Sequence, residues 1–286
     1  MFIEKYYRLN AFLHYQYFQK IKRRKNNKRK KNNFDPSFKL EKLINKIAIP
    51  KNKIIFLHVG LKKLKNITDK SYQALTEEII NLLQKYLSPL AIVVPTFTWA
   101  FVKSGIYSVN YSKSEAGIFS EIFRKLANYR TPNAIQSFSI LTENIDVFNN
   151  INHKNTFSND GIYEFFRKNE TYIIDISTDT FRDSPLHHIE RYFQLDYLKA
   201  QDNRFDGFII DKNNNAEEIK QLHGGAGIYN GAFSWNKEKI ERFLFKKKIL
   251  KSYKYKNIKV AYFNNYEQYE IFDKILKLNP YYLVIL

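Results

Sequence analysis

The stretch Tyr172-Ile173-Ile174-Asp175-Ile176, followed after a short loop by Asp183-Ser184-Pro185-Leu186-His187-His188-Ile189-Glu190, decides how the rest of the chain is read. Its first part is a short apolar run rich in β-branched residues, the composition of a buried strand. Its second part reads as a helix over 186–193. Pro185 suits the first helical turn, and Asp183 or Ser184 can cap it. Three-residue spacing then puts His187 and Glu190 on one helical face. A carboxylate beside an imidazole fixes its tautomer and stabilises the imidazolium, so such a histidine can take a proton from an attacking amine or hydroxyl. In open α/β sheets, sites gather just past the C-terminal ends of strands, which is where this segment lies. Spacing alone leaves other readings open. An i, i+3 His–Glu pair is common on inert helix surfaces, and Asp183, His187, His188 and Glu190 also carry metal-ligand chemistry. Adjacent histidines point to different helix faces, and no second His-x-x-Glu copy completes a bundle-type di-metal site, so no metal is expected.

Working outward, apolar runs predict further strands at 54–58, 91–94, 137–141 and 258–263, and alternation predicts one at 205–210. Residues 72–87 carry apolar side chains at 74, 75, 79, 82, 83 and 86, the spacing of one helix face. Helices are also expected over 40–47, 118–126, 235–245 and 266–278. Strands alternating with helices imply a layered α/β/α domain with a central mixed sheet. No internal repeat interrupts the pattern.

The 286 residues suffice for one large domain, and 44% of them are hydrophobic, a globular composition. There are no cysteines. That excludes disulfides, thiolate metal sites and a cysteine nucleophile, and it fits a cytoplasmic protein. No apolar run reaches the roughly 20 residues of a membrane span, and the N-terminus lacks the apolar core of a signal peptide.

Net charge is +19, and it is unevenly spread. Residues 1–33 hold eleven Lys and Arg against one Glu, a charge of +10, which leaves +9 for the rest. The division is therefore an aromatic, basic N-terminal arm over 1–35 and a catalytic-size domain over 36–286. The arm suits peripheral association with an anionic membrane or nucleic-acid binding, and the plain alternative is a solvated tail. The basic body suits a phosphate-bearing ligand.

Other motifs are less specific. His58 ends a strand and is followed by Val59-Gly60-Leu61, a turn whose amides could meet a ligand oxygen or serve as a plain βα turn. Val94-Pro95-Thr96-Phe97-Thr98-Trp99 ends the next strand in hydroxyls and aromatics. His223-Gly224-Gly225-Ala226-Gly227 is rich in glycine but is expected to lack the flanking strand and helix of a dinucleotide fingerprint, and is read as a flexible turn.

Taken in order, several segments resemble the aminoglycoside 3-N-acetyltransferase family. Residues 54–61 resemble its strand and His-Ser-Ser-Leu turn. Residues 93–99 are similar to its Met-Pro-Thr-Phe-Thr segment, and 117–124 to its Gly-x-x-x-Glu-x-x-Arg helix. Residues 130–137 occupy the place of its Arg-Ser-x-His-Pro-x-x-Ser stretch. Residues 186–190 look like its Leu-His-x-x-Glu signature, and 266–283 its last helix and terminus. The resemblance covers about residues 40–286 and implies transfer of an acetyl group from acetyl-CoA, or another acyl-CoA, to the amine of an amino sugar. It implies His187 as base and Glu190 as its orienting partner. It also implies that His58, Val59, Gly60 and Leu61 meet the acyl donor and that Thr96, Arg130, Thr131 and Ser137 line the CoA channel. Lys62, Lys63 and Lys65 would lie near the CoA phosphates, and Glu121 and Asp183 would face the substrate. For Glu121 a structural ion pair is the equal alternative.

The chain departs from the family at three places. Val59-Gly60 replaces the Ser-Ser pair, Asn133-Ala134 replaces His-Pro, and Ser184-Pro185 stands where a hydroxyl pair is usual. The acceptor implied is an aminoglycoside or a nucleotide-linked amino sugar of surface-polysaccharide synthesis. The competing classes are a non-catalytic binding protein that keeps the fold and a nucleic-acid- or membrane-binding protein acting through the arm.

Overall fold

The computed structural model describes residues 34–198, 204–223 and 235–285. In chain order its elements are α1 (Glu41–Ile44), β1 (Ile54–Val59), α2 (Leu61–Lys65), α3 (Tyr72–Leu87), β2 (Ala91–Pro95), α4 (Phe101–Ser104), β3 (Ile106–Ser108), α5 (Ile118–Leu126), β4 (Tyr129–Arg130) and β5 (Phe138–Thr142). There follow α6 (Ile162–Lys168), β6 (Tyr172–Ile176), α7 (Leu186–Tyr192), β7 (Arg204–Ile210), β8 (Ala216–His223), α8 (Lys237–Lys246), β9 (Lys251–Tyr255), β10 (Ile258–Asn264) and α9 (Asn265–Leu278).

Seven strands form the central sheet in the order β4-β5-β2-β1-β6-β10-β9. The inner strands β2, β1 and β6 run parallel, and antiparallel strands complete both edges. The sheet is mixed, as expected. Period-two alternation sorts its side chains to two faces. Ile54 and Phe56 of β1 and Ile173 of β6 pack with α6, α7, α8 and α9, whereas Ile55, Leu57, Ile174 and Ile176 pack with α1, α2, α3 and α5. Nearly continuous apolar strands are what burial on both faces requires. A second sheet, β3-β7-β8, carries a small core of its own around Phe101, Tyr107 and Ile209.

Helices α3 and α5 and strand β6 fall where the apolar periodicity places them. Ser71 caps α3 by accepting from Ala74 N at 3.1 Å. Elsewhere caps and pairing move the ends. The helix expected over 235–245 begins at Lys237, because Asn236 accepts from Lys239 N at 3.1 Å and so starts it two residues later. The helix expected over 40–47 is a single turn, Glu41–Ile44, without a side-chain cap. The expected capping of α7 by Asp183 or Ser184 is not made. Pro185 occupies the cap position, no side chain caps the helix, and the backbone carbonyls of Asp183, Ser184 and Pro185 accept its first N–H bonds.

Strand β8 also corrects the glycine-rich reading, since a strand does run up to His223. The turn itself, 224–227, lies outside the described residues, as does the basic arm over 1–33. Asp35 belongs with the body. Its N–H donates to Ile67 O at 3.0 Å, and its carboxylate accepts from Tyr255 at 2.8 Å and pairs with Lys256. No described helix is long and apolar enough to cross a membrane.

The topology creates one distinctive place. From β1 the chain crosses to β2 through α2 and α3 on one face of the sheet. From β6, on the other side of β1, it enters α7 on the opposite face. The C-terminal ends of β1 and β6 thus flank a topological switch point, where α/β sheets leave a crevice. Gly60 is needed there. Its N–H donates to Ile176 O at 2.8 Å, and a Cβ would lie 2.2 Å from Ser177 O. Ser177 turns the chain away from β6 in the left-handed region, at φ 60°.

Candidate functional site at the switch point

Register places the polar groups. His58 pairs with Asp175 across β1 and β6, and both continue the rows facing α6–α9. These are the last side chains of that face before the strands end. Asp175 Oδ2 accepts from Arg182 N at 2.8 Å and from Thr178 at 3.4 Å, which ties down the loop into α7. Asp183, 4% exposed, accepts from Gln268 of α9.

Leu186 and Ile189 anchor α7 in the core, which fixes the rotation of the helix. Glu190 is 1% exposed, and its Oε1 accepts from Tyr197 at 2.7 Å and from Trp235 Nε1 at 2.7 Å. His187 is half-buried. Its ring lies 4.4 Å from the Trp235 ring, tilted by 45°. One indole therefore packs on the imidazole and holds the carboxyl one helical turn away. His188 points elsewhere, as adjacent helix positions must. Its Nδ1 shares a 2.6 Å hydrogen bond with the Tyr269 hydroxyl, and its ring stacks on Tyr163.

The switch point gathers buried polar atoms that lack partners. They include His58 Nε2, Asp175 Oδ1, Ser177 Oγ, Asp183 Oδ1, His187 Nδ1, Glu190 Oε2 and Gln268 Oε1. Each costs roughly 1–3 kcal/mol of desolvation in a folded protein. Ordered water or a bound ligand meets such atoms in folded proteins. His187 Nδ1 and Glu190 Oε2 are both without a partner, three residues apart on α7.

Burial sets the protonation states. The imidazoles of His58 and His187 are each pushed down to about 3, first by burial and then by nearby cations. Those cations are Arg182 and Lys237 for His58, and Lys237 and Arg191 for His187. Glu190 is pushed up to about 7 by burial, against the pull of Trp235, Tyr197 and Arg191. Asp183 is likewise raised to about 7 by burial, and Asp175 lies well above the ordinary carboxylate range. Near neutral pH the site therefore holds neutral imidazoles beside carboxyl groups poised to ionise. Among the described residues no cluster of three His, Asp or Glu side chains is arranged to hold a metal ion.

A family profile described as aminoglycoside 3-N-acetyltransferase matches residues 56–277. The chain belongs to that family. It is accordingly an N-acetyltransferase by family. No curated protein matches the sequence. Among solved structures, it is similar to "AAC-IIIb binary with CoASH" at TM-score 0.65 and 10% identity, covering 85% of this chain and 97% of that one. A histidine-to-alanine variant of aminoglycoside acetyltransferase AAC(3)-IVa in complex with apramycin matches at TM-score 0.64 and 11% identity, over 87% and 96% of the two chains. YokD protein from Bacillus subtilis matches at 0.63 and 15%, over 84% and 94%. At these identities the structural likeness concerns the fold.

The aminoglycoside 3-N-acetyltransferase pattern distributes its residues over two places in this chain. His58 ends β1 at the switch point, Asp183 lies in the loop that follows β6, and His187 and Glu190 lie on α7, which that loop enters. Val59 and Leu61 sit beside the switch point, but Leu61 is 3% exposed and packs into the core, and the Gly60 amide already bonds to Ile176. Thr96, Arg130, Thr131 and Ser137 form a separate buried network. Arg130 donates to the carbonyls of Val109 and Thr96 at 3.2 and 2.8 Å, to Ser112 O at 2.5 Å and to the Thr98 hydroxyl at 3.0 Å. Ser137 donates to Thr96 O at 2.6 Å, and Thr131 accepts from Phe138 N at 2.9 Å.

Glu121 makes the structural ion pair. It holds Arg124 through two 2.9 Å bonds and caps Ser114 N at 2.7 Å, on α5, in the layer opposite α7. Lys63 donates to Thr178 O at 3.0 Å and Lys65 to Asp69 O at 3.1 Å, whereas Lys62 is exposed. Sequence reasoning missed Trp235, Tyr197 and Gln268, which position the carboxyls. Only Trp235 left a trace, as one of two tryptophans, just after the glycine-rich segment.

Proposed function

We propose that the chain transfers an acyl group from a CoA thioester to the amino group of an amino sugar, with His187 as base and Glu190 as its orienting partner. The observation that carries this reading is the His187–Trp235–Glu190 arrangement, with one unpartnered atom on the imidazole and one on the carboxyl. An attacking amine must lose a proton, and an imidazole buried in its neutral form is ready to take it. Rotation of Glu190 Oε2 towards His187 Nδ1–H fixes the tautomer that leaves the other ring nitrogen free. Ionisation of Glu190 then raises the basicity of the ring and stabilises the imidazolium. Trp235 and Tyr197 hold the carboxyl by its other oxygen, which leaves Oε2 for the imidazole.

The donor supplies an acyl group on a thiol leaving group. His58 Nε2 and Ser177 Oγ, buried without partners at the ends of β1 and β6, are the polar atoms suited to its carbonyl and amide groups. The relatives whose structures hold CoASH, apramycin or sisomicin make the same class of donor and acceptor the first to try. Positioning alone brings thioester and amine together, and no covalent intermediate on the protein is required. The test is thiol release from acetyl-CoA by the full chain with amino-sugar acceptors. Release that depends on His187 supports the reading, and its absence with every acceptor and acyl-CoA refutes it.

A further inference from the structure

We propose that the β9 edge of the central sheet, with α1 and the turn leaving α8, is a docking surface for an anionic lipid membrane. The proposal does not depend on the roles given to His187 and Glu190. Two segments supply the charge. Residues 34–48 hold Lys39, Lys42 and Lys46 against Asp35 and Glu41. Residues 245–257 hold Lys246, Lys247, Lys248, Lys251, Lys254 and Lys256 and no acid. Nine lysines against two acids give +7, out of the +9 that the chain carries beyond residue 33. All nine lysines are exposed.

Packing joins the two segments. The Tyr253 hydroxyl donates to Leu43 O, and Ala48 N donates to the Tyr262 hydroxyl at 3.2 Å. The rings of Phe38 and Tyr255 lie 5.4 Å apart, and Lys256 pairs with Asp35. Lys46 Nζ is 5.9 Å from the Tyr253 ring, and Lys251 Nζ is 6.0 Å from the ring of Tyr262, its register partner on β10. Lys246 ends α8, and Lys247 and Lys248 lead into β9, with Lys247 Nζ 5.9 Å from the Phe243 ring. Strand β9 is the last of the sheet, and among the described residues no strand pairs with its outer side. Lysines on an edge strand also prevent unwanted pairing, but Lys251 and Lys254 serve that purpose alone, and the other seven lie off the strand.

The chemistry favours lipid over nucleic acid. None of the nine cations is an arginine, the planar fork that reads phosphates and base edges. Lysines are point charges, suited to the diffuse field of anionic headgroups. Phe34 and Phe245 are 54% and 57% exposed at the borders of the two segments, which sets apolar rings beside the charges as at a membrane interface. The aromatic, basic sequence over 1–33 joins the body at Phe34, so its +10 is continuous with this edge.

The experiment sediments the full chain with phosphatidylcholine vesicles, either pure or with about a third phosphatidylserine, and checks the folding of every variant by thermal melting. The anionic vesicles should bind the wild type at least about tenfold more tightly than the neutral ones, and the affinity should fall steeply as salt rises from about 50 to 200 mM. Changing Lys246, Lys247, Lys248 and Lys251 together to Gln, with residues 1–33 intact, should weaken binding by roughly a hundredfold or more, at about fivefold per lysine. Changing the same four to Arg should keep it within about threefold. A matched set on α4, α5 and the loops around them, Lys103, Lys113, Lys125 and Lys212 to Gln, should cost less than about threefold. Equal binding to the two kinds of vesicle, equal losses from the two Gln sets, or no loss from the first set would overturn the surface. Tighter binding to a DNA duplex than to the anionic vesicles at the same salt, lost in the first set, would give this face to nucleic acid and overturn the membrane assignment.

Discussion

Two buried polar regions of this protein differ in how their hydrogen bonds close. Around Arg130 the groups form a finished network. The guanidinium donates four times and lies 4.9 Å from the Tyr107 ring, and only its Nε lacks a partner. At the switch point each of His58, Asp175, Asp183, His187 and Glu190 keeps an unpartnered atom. Asp175, Asp183 and Glu190 are as buried as the Arg130 network, while His58 and His187 are half-buried. A finished network rigidifies the fold, whereas an unfinished one is costly unless something completes it. The contrast separates groups whose hydrogen bonds close within the fold from groups that keep an open atom. The resemblance to the family had assigned both groups to the site.

The largest effect that would sharpen this contrast is on the base. His187→Ala should lower turnover by roughly 10²–10⁴-fold with the fold intact, as read by thiol release and circular dichroism. The neighbouring His188→Ala should lower stability by about 1–3 kcal/mol, through loss of its bond to Tyr269, and change turnover of the folded protein by less than about threefold. Comparable turnover losses from both histidines would break the distinction.

Next comes the carboxyl. Glu190→Gln should reduce kcat by about ten- to a hundredfold, since an amide cannot stabilise the imidazolium. The wild-type kcat/KM should rise with pH through about 7, the value to which burial lifts Glu190. The sign follows from its ionisation. Below that pH the carboxyl is neutral and leaves the ring a poor base, and above it the anion supports the proton transfer. Trp235 and Tyr197 on Oε1, with Arg191, Lys237 and His187 nearby, are the groups facing this pair. Glu190→Gln should flatten the profile, and a limb unchanged in that variant would contradict the assignment.

Trp235→Phe keeps the ring over His187 and removes the indole N–H. It should lower kcat by about two- to tenfold, with little change in the acetyl-CoA KM. The smallest effect on activity belongs to the finished network. Arg130→Met should lower Tm by several degrees, through four lost donor bonds, while the turnover of the protein that remains folded stays within about threefold. A loss of acetyl-CoA affinity at full stability would instead return Arg130 to the donor site.

The legible part of the fold was the part made by local pattern. The runs at 54–58 and 172–176 and the helix face over 72–87 announce themselves, because burial on a sheet face or helix stripe leaves a period in the sequence. Strands β8 and β9 escaped because their residues are charged or mixed. Ala216–His223 carries Glu217, Glu218 and Lys220, and the edge strand Lys251–Tyr255 reads Lys-Ser-Tyr-Lys-Tyr, so partner strands rather than composition make them strands. In the site, His187 and Glu190 were visible because three-residue spacing is a local signal. Trp235 was not, since it reaches Glu190 across 45 residues, and Gln268 reaches Asp183 across 85. Nor could the sequence show that Arg130 and Thr96 bond to each other while the histidine end stays open.

Chemical rescue of the base tests the account most directly. Full-length His187→Ala is assayed for thiol release with acetyl-CoA and an amino-sugar acceptor that the wild type turns over, with and without added imidazole. The account predicts a rate depressed by roughly 10²-fold or more that imidazole partly restores in a concentration-dependent way. Turnover of His187→Ala at the wild-type rate would contradict it.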